Sequence, residues 1–114
     1  MLEKVFQNLI DNAFKFTPEN GEIGIKSWNE NEQILISVSD TGAGIDDNEI
    51  KNIFDRYHQI KRVANDKSKG FGLGLAIVKK ILDLHSYLIE VKSKPGSGAT
   101  FTITIPANNE LFTK

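Results

Sequence analysis

A chain of 114 residues, 39% of them hydrophobic and 25% charged, carries enough apolar material for one compact core and too little length for a second domain. Fourteen basic against fifteen acidic side chains leave a net charge of −1, which argues against a dedicated nucleic-acid or membrane-surface binder. The absence of cysteine excludes disulfide scaffolds and thiolate metal sites, and no apolar run reaches the roughly 20 residues of a membrane span.

Residues 2–16 place Leu2, Val5, Phe6, Leu9, Ile10 and Ala13 at the spacing of a helix face, and TPENG ends that helix because Pro18 cannot continue it. Ile23 and Ile25 then alternate with polar residues, and so do Ile34, Ile36 and Val38 beyond a polar turn at NENE. The two runs predict an antiparallel hairpin with one buried face. DTGAGI (40–45) is too glycine-rich for either regular element. DDNEIKNIFDRY reads as a short helix with an acidic start and a buried stripe of Ile50, Ile53, Phe54 and Tyr57. HQIKRVANDKSKG has no periodicity and reads as a long mobile loop, a length that usually signals function or disorder. LGLAIVKKILDLH (73–85) predicts another helix, and YLIEVKS and ATFTITI predict two strands joined by the turn KPGSG. The order α-β-β-α-loop-α-β-β implies an α+β two-layer sandwich.

Three stretches carry chemistry. On the polar side of the first helix, Asn8, Asn12 and Lys15 stand at i, i+4 and i+7, within a narrow strip. Asparagine is a poor helix former, so two of them one turn apart suggest a task. A carboxamide oxygen is a hard neutral ligand suited to Mg²⁺, and lysine neutralises phosphate as a point charge. A solvated polar face that tolerates two asparagines is the competing reading. Asp40, at the end of a buried strand, has the chemistry to accept a hydrogen bond from the exocyclic amine of adenine; guanine presents a carbonyl there and would be refused. Gly42 and Gly44 would let a flat ring approach the backbone, but a turn in which Asp40 caps backbone amides explains the same residues. SKGFGLGLAIVKK, finally, is neither of the familiar glycine motifs. No Lys-Ser/Thr follows its last glycine, and Leu75 stands where a dinucleotide fingerprint has its third. What remains is a glycine segment offering amides at a helix start, a place that favours anions.

Together and in this order, the motifs resemble the catalytic, ATP-binding domain of sensor histidine kinases, in the Bergerat-fold (GHKL) superfamily shared with gyrase B subunits and mismatch-repair MutL. NLIDNAFKFTP resembles the N box of that family, DTGAGI its first glycine box, IFDRY its F box, GFGLGLAIVKKI its second glycine box, and GSGATFTITIP its third. The similarity runs from Leu2 to about Pro106. It implies a single domain over residues 1–114, with a mixed, largely antiparallel sheet covered on one face by three helices. It implies Mg²⁺ on Asn12 assisted by Asn8, phosphate on Lys15, and Phe16 against adenine. Asp40 would hold the adenine amine, with Gly42, Gly44 and Ile45 shaping and lining the pocket. Residues 58–71 would form a lid over ATP, with Gly70, Gly72, Leu73 and Gly74 on its phosphate side.

The implied reaction transfers the γ-phosphoryl group of ATP to a histidine on a separate dimerisation and phosphoacceptor helical domain. Neither His58 nor His85 matches that acceptor. A response regulator is the implied downstream partner and a homodimer the implied full-length form. No nucleic acid and no direct membrane contact are expected of this domain, and its expected location is cytoplasmic whether or not its parent is membrane-anchored. Superfamily members that hydrolyse ATP use a glutamate base where Asn8 stands, and a domain reduced to docking would not need Asn12 and Asp40. Some positions depart from the pattern. Ser86-Tyr87 replace a frequent Gly-Gly, so that turn is expected to differ, and Phe71 and Gln59 replace a small residue and an arginine. The chain starts close to the N box, so an exposed sheet edge and some self-association are expected.

Overall fold

A computed structural model describes residues 2–54 and 74–106. The elements run α1 (Leu2–Phe16), β1 (Ile23–Glu30), β2 (Gln33–Asp40), α2 (Asp47–Ile50), α3 (Gly74–His85), β3 (Leu88–Ser93) and β4 (Ala99–Pro106). The four strands form one sheet in the order β1-β2-β4-β3, and every pairing is antiparallel. The expected α+β two-layer architecture is therefore present, with no parallel pair among the described residues.

Strand alternation decides which side chains meet the helices. Val38 of β2 pairs with Phe101 of β4, and Ile36 and Ile34 pair with Ile103 and Ile105. Phe101 in turn pairs with Val91 and Ile103 with Ile89 on β3. This face meets Val5, Leu9 and Ala13 of α1 and Leu75, Val78, Ile81 and Leu82 of α3, all buried in one core. Val5, Leu9 and Ala13 recur every four residues, so one stripe of α1 supplies the contact. The helix ends where Thr17 Oγ1 donates to the Ala13 carbonyl at 2.6 Å, one residue before Pro18.

Two local expectations change here. The β1–β2 hairpin forms around Asn31 and Glu32, both at positive φ as a two-residue type I′ turn requires. Its buried face belongs to β2, however. β1 is an outer strand: Ile23 packs partly against the core, but Ile25 remains 59% exposed. The helix expected from DDNEIKNIFDRY covers only Asp47–Ile50, and Asp46 makes no side-chain capping bond. The chain then tightens into turns in which Asn52 and Ile53 donate to carbonyls three residues back. Ile53 is still buried, Phe54 packs edge-on against Phe101 at 6.4 Å, and Tyr57 lies outside the described residues.

The turn after α3 keeps a helix-capping form without the glycine. Ser86 takes φ +63, and the amides of Ser86 and Tyr87 donate to the carbonyls of Asp83 and Leu82. Tyr87 is 3% exposed and its ring lies 5.2 Å from that of His85.

Candidate nucleotide site

The polar strip of α1 runs from half-buried Asn8 and Asn12 to exposed Lys15, about 10 Å along the axis at 1.5 Å per residue. Its N-terminal end abuts the start of α3. A methyl group placed on Gly74 would lie 4.0 Å from Asn8 Oδ1. Asn8 Nδ2 is buried there with no hydrogen-bond partner among the described residues. A buried donor without an acceptor costs about 1–3 kcal/mol, so an oxygen brought by a ligand would relieve it.

The other end of α1 is tied to the loop beyond β2. Gly21 fits between Thr17, the Pro18 carbonyl and Thr41; a methyl group on it would come within 2.9 Å of both Pro18 O and Thr41 Oγ1. Thr41 Oγ1 accepts the Glu22 amide at 2.8 Å, and the Thr41 amide donates to the Glu22 carbonyl at 3.1 Å. The residue after Asp40 is thereby held against the end of the helix that bears Lys15.

Asp40 closes β2 and is 7% exposed. Its Oδ1 accepts the Gly42 amide at 2.8 Å, an Asx-type turn that orients the carboxylate. A carboxylate has about four acceptor positions, so capping Gly42 and receiving a base amine are compatible tasks. The two readings of Asp40 do not compete.

The loop 41–45 rests on the β3–β4 turn. Gly44 has φ +84, and a methyl group on it would overlap the Lys94 carbonyl. Gly98 approaches the Asp40 carbonyl in the same manner, and the Gly96 amide donates to the Ala43 carbonyl. Ser93 Oγ accepts the Ile45 amide and donates to the Gly98 carbonyl, both at 2.7 Å. Gly44 thus has a packing role that joins residues distant in the chain. Ile45, expected to line the pocket, has its side chain in the core at 1% exposure. No local feature of the sequence singles out Gly21, Thr41, Ser93 or Gly98; KPGSG signals a turn, but nothing local signals what the turn supports.

Asn8, Asn12 and Lys15 lie on one element, Asn8 meets Gly74, and Asp40 and Gly42 join the opposite end through Thr41. Nothing is described of the Phe16 side chain, and Gly70, Gly72, Leu73, the expected lid at 58–71, Gln59 and Phe71 lie outside the described residues. No three His, Asp or Glu side chains come together as a metal cage among the described residues. Two carboxamides suit a cation that brings phosphate oxygens and waters of its own, and the ammonium suits the phosphate.

Residues 1–109 match the model of the histidine kinase-, DNA gyrase B- and HSP90-like ATPase family. The chain belongs to this family. Within this ATPase family it is 44% identical over 107 residues to the sensor histidine kinase TmoS of Ectopseudomonas mendocina, covering 93% of this chain and 11% of TmoS. The catalytic domain of the histidine kinase ThkA, solved nucleotide-free, superposes with a TM-score of 0.77 at 32% identity, covering 96% of this chain and 68% of that one. Full-length ShkA in complex with AMPPNP superposes with a TM-score of 0.76 at 29% identity, over 92% of this chain and 21% of ShkA. The chain spans between 8% and 23% of the length of the curated relatives it matches. No helix of the described residues is long and apolar enough to cross a membrane.

Proposed function

We propose that residues 1–114 form the ATP-binding catalytic domain of a histidine kinase, with a lid at about 58–71. The observation that carries this is the joining of a buried, oriented carboxylate, Asp40, to the end of the helix bearing Asn8, Asn12 and Lys15. Asp40 takes the adenine amine, Gly42 leaves the base room against the loop, and Gly44 shapes the pocket by seating that loop on the β3–β4 turn. Asn12 ligates Mg²⁺ with Asn8 beside it, Lys15 meets phosphate, and Phe16 packs on adenine. The amides from Gly70 through Gly74 serve the phosphate end. Bound Mg²⁺ would supply charge neutralisation between phosphate oxygens.

Phosphoryl transfer needs positioning and charge screening more than a nucleophile on the donor domain. The acceptor in this proposal is a histidine on a separate helical domain of a homodimeric parent, which then phosphorylates a response regulator. A hydrolytic cycle is the second reading. Asn8 weighs against it, because a carboxamide cannot deprotonate water. Calorimetry with a non-hydrolysable ATP analogue and Mg²⁺ tests binding. Incubation of labelled ATP with a purified acceptor-histidine domain then separates transfer from hydrolysis: label on histidine supports the kinase, and free phosphate without labelled histidine supports the ATPase.

A further inference from the structure

The face of the sheet turned away from the helices has a pattern that nucleotide binding does not use. Register places Trp28, Leu35, Thr104 and Leu88 in one row across β1, β2, β4 and β3. Leu88 is 63% exposed and Trp28 38% exposed, and the indole is held on this face by a 3.1 Å bond from Nε1 to Glu30. In the next row Lys26 stands on β1 and Glu90 on β3, with Ser37 and Thr102 between them. Both charges are exposed, and neither has an ion partner among the described residues. Three strand spacings separate them, about 14 Å, which exceeds the screening length at physiological salt.

We propose that this face binds a second copy of the same chain. The argument is one of symmetry. A two-fold axis lying between two such faces, parallel to the strands, sets β1 of one copy over β3 of the other and keeps each row opposite itself. Trp28 then meets Leu88 of the second copy, Leu35 meets Thr104, and Lys26 meets Glu90. Every one of these contacts occurs twice. The apolar row lies on the apolar row, and the two charges without ion partners among the described residues find opposite charges in the other copy.

The area sets the strength. Four strands and three rows, the third being Gly24, Ser39, Thr100 and Lys92, span about 19 by 20 Å, so two faces cover about 800 Å², below the 1,200 Å² or more of stable interfaces. The dimer is weak and concentration-dependent. It is also distinct from pairing along the free edge of β1, which would use main-chain groups and ignore the Lys26–Glu90 pattern. Its test does not depend on the nucleotide reading.

Sedimentation equilibrium of the 114-residue chain between about 10 µM and about 1 mM is expected to show mass rising from monomer toward dimer. Emission from Trp28, the sole tryptophan, is expected to shift to the blue in parallel. Lys26→Glu and Glu90→Lys, each replacing two attractions with two repulsions, are each expected to weaken association about tenfold. The double variant restores it, because the reversed charges again face each other. Circular dichroism of each variant checks that it remains folded. A folded chain that stays monomeric to about 1 mM overturns the proposal. So does association that the single reversals leave unchanged, or that the double reversal fails to recover.

Discussion

Gly44→Ala and Gly96→Ala form a matched pair, because the two glycines have nearly the same backbone angle, φ +84 and φ +83, in segments that touch. They differ in surroundings. A methyl group on Gly96 has nothing within 4 Å among the described residues, whereas one on Gly44 overlaps the Lys94 carbonyl oxygen and comes within 2.8 Å of its carbon and 3.1 Å of Pro95 Cα. Placing alanine in the left-handed region costs about 1–2 kcal/mol at either position. At Gly44 the loop and the β3–β4 turn must also move apart, which adds about 1–3 kcal/mol, the usual range for overpacking. Unfolding entropy of about 2.1 cal/mol/K per residue, over 114 residues, converts 1 kcal/mol to about 4 °C. Gly96→Ala should therefore lower Tm by about 4–8 °C and Gly44→Ala by about 8–20 °C. Thermal unfolding followed by circular dichroism reads both. Equal losses would show that loop 41–45 does not rest on the turn and would remove the packing role assigned to Gly44.

Ser93→Ala removes the hydroxyl joining the Ile45 amide to the Gly98 carbonyl and should cost about 1–3 kcal/mol in denaturant unfolding, leaving a part-buried amide without its acceptor. Ser86→Gly should gain up to about 1 kcal/mol in the same assay, since Ser86 holds φ +63 at the end of α3, where glycine is unstrained. Gly74→Ala should leave Tm within about 2 °C of wild type, because among the described residues the neighbour within contact range is Asn8 Oδ1 at 4.0 Å. If phosphate lies against this backbone, calorimetry will nonetheless show weaker binding of an ATP analogue.

What could be read ahead of the structure follows from how far apart the causes lie in the chain. α1 was legible because its stripe and its breaker, Pro18, are local. The second hairpin was legible because KPGSG separates two alternating runs. Alternation identified the side of β1 that Ile25 occupies, but helix coverage of that side depends on strand order, and β1 lies at the sheet margin. The length of α2 was overread because a stripe of Ile50, Ile53 and Phe54 suits tight turns as well as a continued helix. At the site, Asn8 and Asn12 were conspicuous as poor helix formers, Lys15 by its alignment with them, and Asp40 as a carboxylate closing a buried strand. The dependence of Gly44 on Lys94, and of Ile45 on Ser93, joins residues about fifty positions apart and leaves no local mark. Ser86 shows the converse. The missing glycine was visible, yet the turn survives because its hydrogen bonds offset the strain of one left-handed serine.

The central claim is that Asp40 selects an adenine nucleotide. Calorimetric titration of the wild-type chain and of Asp40→Asn with ATP and GTP analogues in Mg²⁺ tests it most directly. Wild type should bind the adenine nucleotide and discriminate against guanine. Asp40→Asn should remain folded and lose about tenfold or more in adenine affinity, the value of a hydrogen bond to a charged group. A folded wild type that binds neither nucleotide, or binds both equally, or an Asp40→Asn variant that binds ATP as tightly as wild type, would contradict the account.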